Sequence, residues 1–433
     1  MSPLIIGFIG IGILLLLFVL RMPIAFAMGV VGLVGYSYLS GLKGGLDILG
    51  MSAFSTSASF TLSVIPLFVL MGEFVSNAGL GKDLYYSVYR WLGHMSGGLA
   101  SATIAACAGF AAICGSSVAT AATVGTIAIP EMQRYKYDTK LAVGAVAAGG
   151  TLGMLIPPST TFVIYGIITE VSIGKLFIAG IFPGLLLTAM FIVMIYVRTK
   201  FNPALGPPGP KTTIREKLTA IKSTWGIFAL FILVIGGIYL GMFTPTEAAG
   251  VGAFGALILA LSRRQLTWRR FWDSLVETGH ITAMCLVIIV FAYIFGYFMA
   301  MSRIPTSLAK YIVELELDKY VVIAGIMAFY LVLGCFMEGF AMLILTVPII
   351  LPLVEALGFN PIWFGVLMVL ECNMGLITPP VGINVFVISG VVKDVPMNTI
   401  FAGIVPFLVV MILCVIIVVA FPQIALFLPS IMR

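Results

Sequence analysis

The sequence predicts an all-α polytopic membrane protein built from two inverted repeats. The chain is 61% hydrophobic and 9% charged with a mean hydropathy of +1.17, whereas charged residues make up roughly 25% of soluble domains. Apolar stretches of about 17 to 25 residues, the length that crosses a hydrocarbon core of roughly 30 Å, recur along the chain. In addition, adding 222 to the number of a landmark in the first half gives an equivalent landmark in the second.

The internal repeat is marked by prolines. Pro23 corresponds to Pro245, Pro130 to Pro352, and Pro157-Pro158 to Pro379-Pro380. We therefore divide the chain into a first repeat at 1–197, a linker at 198–222 and a second repeat at 223–433. In a hydrophobic chain, duplicated halves with matching Gly and Pro interruptions predict a secondary transporter whose ligands bind where the halves meet.

Charge gives the predicted orientation. The apolar pattern predicts spans near 4–20, 23–41, 55–78, 138–168, 175–198, 223–242, 245–262, 277–300, 360–392 and 398–421. The linker carries six basic residues and should be cytoplasmic by the positive-inside rule. This assignment places basic residues 21, 82, 90, 134, 136, 140, 198, 200, 211, 215, 217, 222, 263, 264, 269, 270 and 393 inside, and 43, 175, 303, 310, 319 and 433 outside. It also makes the two halves inverted.

Other classes lack their sequence features. The N-terminal apolar run has no basic n-region and leads into Arg21 rather than a small-residue cleavage site, so it is predicted as the first helix. The six cysteines lie in apolar segments without CxxC spacing and are predicted as buried thiols. With two histidines, no HExxH and no Walker A motif, the chain is predicted not to be an enzyme.

Segments 97–131 and 320–354 are predicted as re-entrant hairpins. Each arm of the first is short and rich in small residues, which suits packing within protein. Its tip, Gly115-Ser116-Ser117, would bring hydroxyls and a helix N-terminus to mid-membrane, and an ordinary turn between two spanning helices is the alternative. The tip of the second carries Met337, Glu338 and Gly339, where the acid is either functional or paired to a neighbouring helix.

Segments 138–168 and 360–392 are predicted as broken helices. Each contains Gly-x-x-x-Pro-Pro, beginning at Gly153 and at Gly375, with the first proline 27 residues after the proline that closes a hairpin. Two prolines remove two backbone donors and push the preceding residue out of the α region. A break at mid-membrane leaves carbonyls that can coordinate a cation. A simple proline kink is the alternative for either site alone.

Four acidic residues fall inside the predicted spans: Glu73, Glu247, Glu338 and Glu371. Such acids are costly and usually functional. Glu338 and Glu371 lie closest to the predicted site, where either could tune cation affinity or carry a proton. Glu73 and Glu247 lie near span ends, where a capping or pairing role is equally open.

Seven motifs distributed over the chain resemble one transporter family. They are RMPIAFA at 21–27, IPLF at 65–68, MGE at 71–73, CGSS at 114–117, GMLIPPS at 153–159, FTPTEAA at 243–249 and GLITPPVG at 375–382. In these motifs the chain resembles the large membrane subunit, of DctM or SiaM type, of tripartite ATP-independent periplasmic (TRAP) transporters in the ion-transporter superfamily. The resemblance covers essentially the full length.

This resemblance implies an elevator mechanism in the bacterial inner membrane, with both hairpins and both broken helices in a transport domain that slides against a scaffold. It also implies a small four-helix membrane subunit, of DctQ or SiaQ type, and a periplasmic binding protein that delivers an organic acid. At least two Na⁺ ions are expected. Neither nucleic acid nor a cofactor beyond Na⁺ is expected, and membrane lipid surrounds the chain.

The resemblance also assigns residues. One Na⁺ site is expected between Gly115, Ser116 and Ser117 and the break at Thr151 and Gly153. The second is expected between Met337, Glu338 and Gly339 and the break at Asn373, Gly375 and Thr378. Substrate, of the sialic acid or C4-dicarboxylate class, is expected to contact both tips and Pro157, Ser159, Thr160, Thr161, Pro379 and Asn384. The superfamily's dicarboxylate carriers have Ser-Asn-Thr at both tips and this chain does not, which leaves the identity of the ligating oxygens open.

Two other functions remain open at this point. One is a stand-alone sodium-dicarboxylate symporter of the same superfamily, without a binding protein. The other is a passive channel or membrane scaffold, which would show no sodium dependence.

Overall fold

The structure is a computed structural model that describes residues 2–209, 212–392 and 395–432, with the side chain of residue 223 excluded. The described part is helical throughout and contains no strand. The helices of the first half are α1 Pro3–Val19, α2 Ile24–Ser40, α3 Leu42–Ser57, α4 Val64–Asn77, α5 Leu80–Leu92, α6 Gly98–Cys114, α7 Ser117–Arg134, α8 Thr139–Leu155, α9 Thr160–Thr169 and α10 Ile173–Phe201. Those of the second are α11 Ile214–Phe231, α12 Gly237–Tyr239, α13 Pro245–Ser262, α14 Trp268–Ser302, α15 Ile304–Glu314, α16 Lys319–Phe336, α17 Gly339–Ala356, α18 Pro361–Gly375, α19 Ile383–Val391, α20 Met397–Ala420 and α21 Gln423–Ile431.

The chain is a multi-pass membrane protein. Among the described residues, eight helical stretches are long and apolar enough to cross a membrane, and a bent pair at 214–222 and 224–239 makes a ninth if it counts as one span. The predicted all-helical polytopic class is confirmed. Because α16 and α17 are each long enough to span, the re-entrant character of that hairpin stays a prediction.

The predicted hairpins and breaks match helix boundaries closely. Helices α6 and α7 meet at residues 115–116, and α16 and α17 meet at 337–338. The first broken segment is α8 and α9 with an interruption at 156–159, and the second is α18 and α19 with an interruption at 376–382. The prolines predicted to end each helix lie inside both interruptions.

Two predicted spans have different bounds in the structure. The predicted span at 55–78 is interrupted, because α3 ends at Ser57 and a 3₁₀ turn at Phe60–Ser63 precedes α4. The predicted span at 277–300 is too short, because α14 begins at Trp268. There the Thr267 hydroxyl accepts a hydrogen bond from the Arg270 amide at 3.3 Å and starts the helix ahead of the apolar stretch.

Helices cover both ends of the predicted linker at 198–222. Helix α10 continues to Phe201, and α11 begins after Thr213 with a capping box to Glu216. Within the remaining loop, the Gly206 carbonyl accepts from the Gly97 amide at 2.9 Å. The Pro207 carbonyl accepts from the Tyr137 hydroxyl at 2.9 Å. The loop is therefore fastened to the base of the first hairpin.

Three basic residues assigned to a membrane side in the sequence analysis lie outside the described residues. They are Lys211, Lys393 and Arg433.

Helix packing is reciprocal between the halves. Helix α2 packs on α14 while α4 packs on α13, and α19 packs on α7 while α9 packs on α17. The two broken helices are thus each held by the hairpin of the other half. Residues 141–159 of the α8–α9 segment are all buried within the molecule, because small residues of α6, α7 and α20 allow those helices to surround it.

Candidate functional site

The first hairpin tip is built by a glycine and a serine cap. Gly115 ends α6 in the left-handed region at φ 63°, a conformation that side chains other than glycine's rarely adopt. Ser116 then caps α7, because its hydroxyl accepts a hydrogen bond from the Ala119 amide at 3.3 Å. The Ser116 carbonyl accepts from the Thr120 hydroxyl at 2.7 Å. The reversal that carries the predicted ligands is therefore specified locally.

This tip lies directly against the first broken helix. A Cβ on Gly153 would be 2.6 Å from the Ser116 carbonyl oxygen, so only glycine allows this approach. Across the break, the Thr160 hydroxyl donates to the Gly115 carbonyl at 3.5 Å. The structure therefore brings together Gly115, Ser116, Gly153 and Thr160.

The second tip packs differently. The Glu338 side chain makes no capping hydrogen bond at the start of α17. Gly339 lies against Cys372, whose thiol donates to the Gly339 carbonyl at 3.3 Å. Gly375, the counterpart of Gly153, instead faces Gly334 of α16, with its would-be Cβ 2.9 Å from that carbonyl oxygen. The second hairpin thus contacts its broken helix through Gly334 and Gly339, on either side of its tip. Their partners, Gly375 and Cys372, flank Asn373 in the sequence.

Asn384 joins the two halves of the chain. Its side-chain amide donates to the Ser117 hydroxyl at 2.8 Å and to the Ala147 carbonyl at 3.1 Å. The Ser117 hydroxyl is also within 3.1 Å of the Asn384 amide oxygen. Asn384, predicted as a substrate residue, therefore connects the start of α19 to the first hairpin and to α8.

A cavity of ≈ 210 Å³ lies between the two tips. The first turns of four helices reach it: Ser117 of α7, Thr160 of α9, Phe340 of α17 and Ile383 of α19. Its other lining residues are Val69, Gly72, Glu73, Cys114, Gly115, Ser116, Val118, Ala119, Met154, Ile281, Met284, Cys285, Glu338 and Leu376. Of the predicted residues, Gly115, Ser116, Ser117, Thr160 and Glu338 line this cavity.

Several predicted residues lie behind the cavity or away from it. The hydroxyls of Thr151 and Thr378 donate to the carbonyls of Ala148 at 2.7 Å and Met374 at 3.0 Å. The Ser159 hydroxyl donates to the Met154 carbonyl. Met337 and Pro157 are buried outside the lining, whereas Pro379 is exposed. The break in the second half is thus more open than that in the first.

Three buried polar side chains near the breaks have unpartnered atoms within the described part of the chain. Both amide atoms of Asn373 lack a hydrogen-bond partner, as do the Thr161 hydroxyl and one carboxylate oxygen of Glu371. Asn373 and Thr161 are fully buried. Because an unpaired buried polar group is costly, each is a position at which a ligand or ion would supply the missing contact.

The cavity has an unusual charge pattern. Within the described ranges, its charged lining residues are Glu73 and Glu338, and no Lys or Arg lines it. Positive potential comes from the four helix N-termini instead, where backbone N–H groups and the helix dipole favour negative groups. The site thus combines carboxylates that suit cations with helix termini that suit anions.

Sequence reasoning missed part of the wall that faces the tips. Glu73 lines the cavity although its position suggested an interfacial role, and Met284 and Cys285 of α14 also line it. An acid following Gly72 inside an apolar helix was the available signal. Glu247, in contrast, forms a capping box with Thr244, whose amide donates to its carboxylate at 2.8 Å.

The fold is that of a membrane transporter. It resembles the crystal structure of the YdaH transporter of Alcanivorax borkumensis with a TM-score of 0.62 at 17% identity, covering 87% of this chain and 88% of that one. At that identity the similarity concerns the fold alone.

Relatives give the family. A family model described as the tripartite ATP-independent periplasmic transporter, DctM component, matches residues 11–424. The C4-dicarboxylate TRAP transporter large permease protein DctM of Pseudomonas aeruginosa is 40% identical, covering 90% of this chain and 93% of the relative. The sialic acid large permease protein SiaM of Vibrio cholerae is 35% identical, covering 86% and 87%. The isethionate permease protein DctMQ of Oleidesulfovibrio alaskensis is 38% identical, covering 88% of this chain and 60% of the relative. The chain belongs to the DctM family of TRAP transporter large permeases.

Proposed function

We propose that the chain is the large subunit of a sodium-coupled transporter that imports an organic acid anion across the bacterial inner membrane. The substrate is of the C4-dicarboxylate or sialic acid class, as in the names of two relatives. The observation that carries the proposal is the cavity where both hairpin tips and the first turns of four helices meet.

Helix N-termini supply the anion-binding chemistry. A substrate carboxylate in this cavity would meet N–H groups of α7 and α17 and the hydroxyls of Ser116, Ser117 and Thr160. These are the group types that broken transporter helices offer to anionic substrates. The small volume suits a compact organic acid.

Sodium coupling follows from the charge of the wall. An organic anion beside Glu73 and Glu338 would be repelled unless cations or protons neutralised the carboxylates. Sodium prefers oxygen ligands, which carbonyls at the tips and breaks and the side chains of Thr151, Asn373 and Thr378 could supply. We place one Na⁺ at each tip-and-break pair, giving at least two ions for each anion.

We propose that transport proceeds by an elevator motion. The transport domain would contain α6–α9 and α16–α19, and the scaffold would include α2, α4, α13 and α14. Helix α2 packs on α14, α14 packs on α4, and α4 packs on α13, so those four helices form a continuous unit. The tips would then carry the cavity past the face formed by α4 and α14.

Two partners complete the proposed transporter. A relative named DctMQ is longer than this chain, which covers 60% of it, and its name joins two components. We therefore expect a separate small membrane subunit of DctQ or SiaQ type against the scaffold. A periplasmic binding protein, as the family name implies, would deliver the substrate.

Reconstitution tests this function. The chain in liposomes, with its small subunit and binding protein, should accumulate radiolabelled succinate or sialic acid under an inward sodium gradient, and lose uptake when any component is omitted. Sodium-driven uptake by the chain alone would favour the stand-alone symporter instead. Flux that is independent of sodium would contradict both cation sites.

A further inference from the structure

A second polar cavity lies apart from the one between the tips. It has a volume of ≈ 650 Å³ and is formed where α3, the Phe60–Ser63 turn, the end of α9, the starts of α10 and α13, and α14 come together. We call it the outer pocket, because the positive-inside prediction places this end of the helices outside. Its hydroxyl-bearing lining residues are Ser52, Ser55, Thr56, Ser59, Thr61, Ser172, Thr244, Thr246, Tyr293 and Tyr297.

The outer pocket and the cavity between the tips are lined by the same three helical segments. Leu62 and Gly166 line the outer pocket, whereas Val69 and Thr160, on the same segments, line the cavity. On α14, Tyr293 lines the outer pocket and Cys285 lines the cavity. These separations of six to eight residues correspond to about 9–12 Å along a helix. The two cavities therefore follow one another along a single path.

A layer of buried apolar side chains separates the outer pocket from the cavity. At the intervening positions, Ile65 and Phe68 of α4, Val163 of α9 and Ile289 of α14 are each at most 4% exposed. The Phe68 ring also packs edge-on against Phe177 of α10 at 5.5 Å between centroids. In this structure a polar solute in the outer pocket is therefore kept from the cavity.

The chemistry of the outer pocket repeats that of the cavity. Two helix N-termini reach it, that of α10 at Ser172 and that of α13 at Thr244, and no Lys or Arg lines it among the residues the structure describes. The hydroxyl oxygens of Ser52 and Thr56 are buried and have no hydrogen-bond partner in that part of the chain. Glu170, its one charged lining residue within the described ranges, is exposed and thus screened by solvent. Hydroxyls and helix N-termini without basic side chains suit a small carboxylate.

We propose that the outer pocket is a second binding site for the transported organic acid, occupied before the apolar layer opens and the anion reaches the tips. The inference rests on the proposed function and adds a required binding step before the anion reaches the cavity between the tips. A ligand released at the outer surface would bind there first, held by hydroxyls of α3, the Phe60–Ser63 turn and α14.

Cysteine protection tests occupancy. Ser55 and Ser57 are both exposed on α3, but only Ser55 lines the pocket. In a Cys335→Ala background, which removes the one half-buried native thiol, saturating succinate or sialic acid should slow labelling of Ser55→Cys by a membrane-impermeant maleimide severalfold. Labelling of Ser57→Cys should be unchanged. Equal rates at Ser55→Cys with and without both anions would overturn the proposal.

Transport kinetics give an independent readout. Thr61→Val and Tyr297→Phe each remove one lining hydroxyl, so the KM of uptake should rise about two- to tenfold with the maximal rate unchanged. Ser57→Ala should change neither value. A lower maximal rate at constant KM would overturn the role assigned to the pocket. If the unmodified protein takes up neither anion, the proposed function itself fails, whereas uptake without protection or a KM effect overturns the outer pocket alone.

Discussion

Asn384 connects the two halves of the chain through one side chain. Its hydrogen bonds to Ser117 and Ala147 hold the start of α19 against the first hairpin and α8. A residue after the second break thereby fixes a hydroxyl at the first tip. The Ser117 hydroxyl at that tip is thus held by a residue 267 positions away in the sequence.

Replacing Asn384 with leucine should destabilise the protein and reduce uptake together. The substitution keeps a similar volume but removes the hydrogen-bond partner of the Ser117 hydroxyl, at a cost of about 1–3 kcal/mol. We expect a lower melting temperature in detergent and a drop in sodium-driven uptake of about tenfold. Asn398→Leu, at an exposed position on α20, is the control. Unchanged stability of Asn384→Leu would contradict the bridging role.

Asn373 should respond in the opposite way. It is as buried as Asn384, yet both of its amide atoms lack a partner in the described chain. Asn373→Leu should therefore keep or raise the melting temperature in sodium-free potassium buffer, because it removes an unsatisfied buried group.

Sodium separates the two asparagines further. Saturating sodium, at about 100 times the dissociation constant, should stabilise the unmodified protein by about 2.7 kcal/mol. That stabilisation should shrink in Asn373→Leu and uptake should fall. A full sodium effect in this variant would remove Asn373 from the second cation site.

The sequence indicated these residues but not their contacts. Asn373 and Asn384 flank the second Gly-x-x-x-Pro-Pro motif, and the resemblance of this segment to TRAP large subunits made them candidates. The pairing of Asn384 with Ser117, and the place of Glu73 in the cavity wall, depend on how helices from different halves pack. A single sequence contains no signal for such side-chain pairs.

At the scale of helices, α4 presses directly on the first hairpin tip. A Cβ on Gly72 would be 2.7 Å from the Cys114 carbonyl oxygen, a backbone atom that cannot move aside cheaply. Gly296 lies 224 residues after Gly72 and matches it in the repeat once a slip of two residues is allowed. A Cβ on Gly296 would meet nothing within 4 Å. The close approach at this glycine is thus present in one half only.

Gly72→Ala should impair transport much more than Gly296→Ala. If the tip slides past α4, an added methyl group obstructs the closest point of approach, and we expect uptake to fall about tenfold or more. Gly296→Ala should stay within twofold of the unmodified protein. Equal effects of the two substitutions on initial uptake rates would contradict a sliding contact at Gly72.

Helix breaks were the most predictable part of the fold. Prolines and glycines act through the local backbone, so the positions of both breaks and both tips could be read from the sequence. Helix extents were less predictable, because caps such as Thr267 start a helix outside the apolar stretch. The fastening of the linker to the first hairpin depends on backbone hydrogen bonds, which composition does not reveal.

At the scale of the whole molecule, two cation sites determine the charge moved in each cycle. Two Na⁺ with a dianion move no net charge, whereas two with a monoanion move one positive charge inward. Each charge is worth about 2.3 kcal/mol per 100 mV of membrane potential.

Membrane potential should therefore distinguish substrates by charge. In liposomes with an inside-negative potassium diffusion potential set by valinomycin, uptake of sialic acid, a monoanion, should be stimulated. Uptake of succinate, a dianion, should be unaffected. Stimulation of succinate uptake would require a third cation. Sialic acid uptake that does not respond to the membrane potential would remove one of the two sites.

The most direct test of the account is the simultaneous measurement of sodium and substrate influx in liposomes that contain the complete transporter. With radioactive sodium and radiolabelled succinate, we expect two sodium ions to enter with each succinate, and sodium influx to require succinate. Succinate entry without accompanying sodium, or sodium entry at the same rate without succinate, would contradict a cavity in which cations and the organic anion bind together.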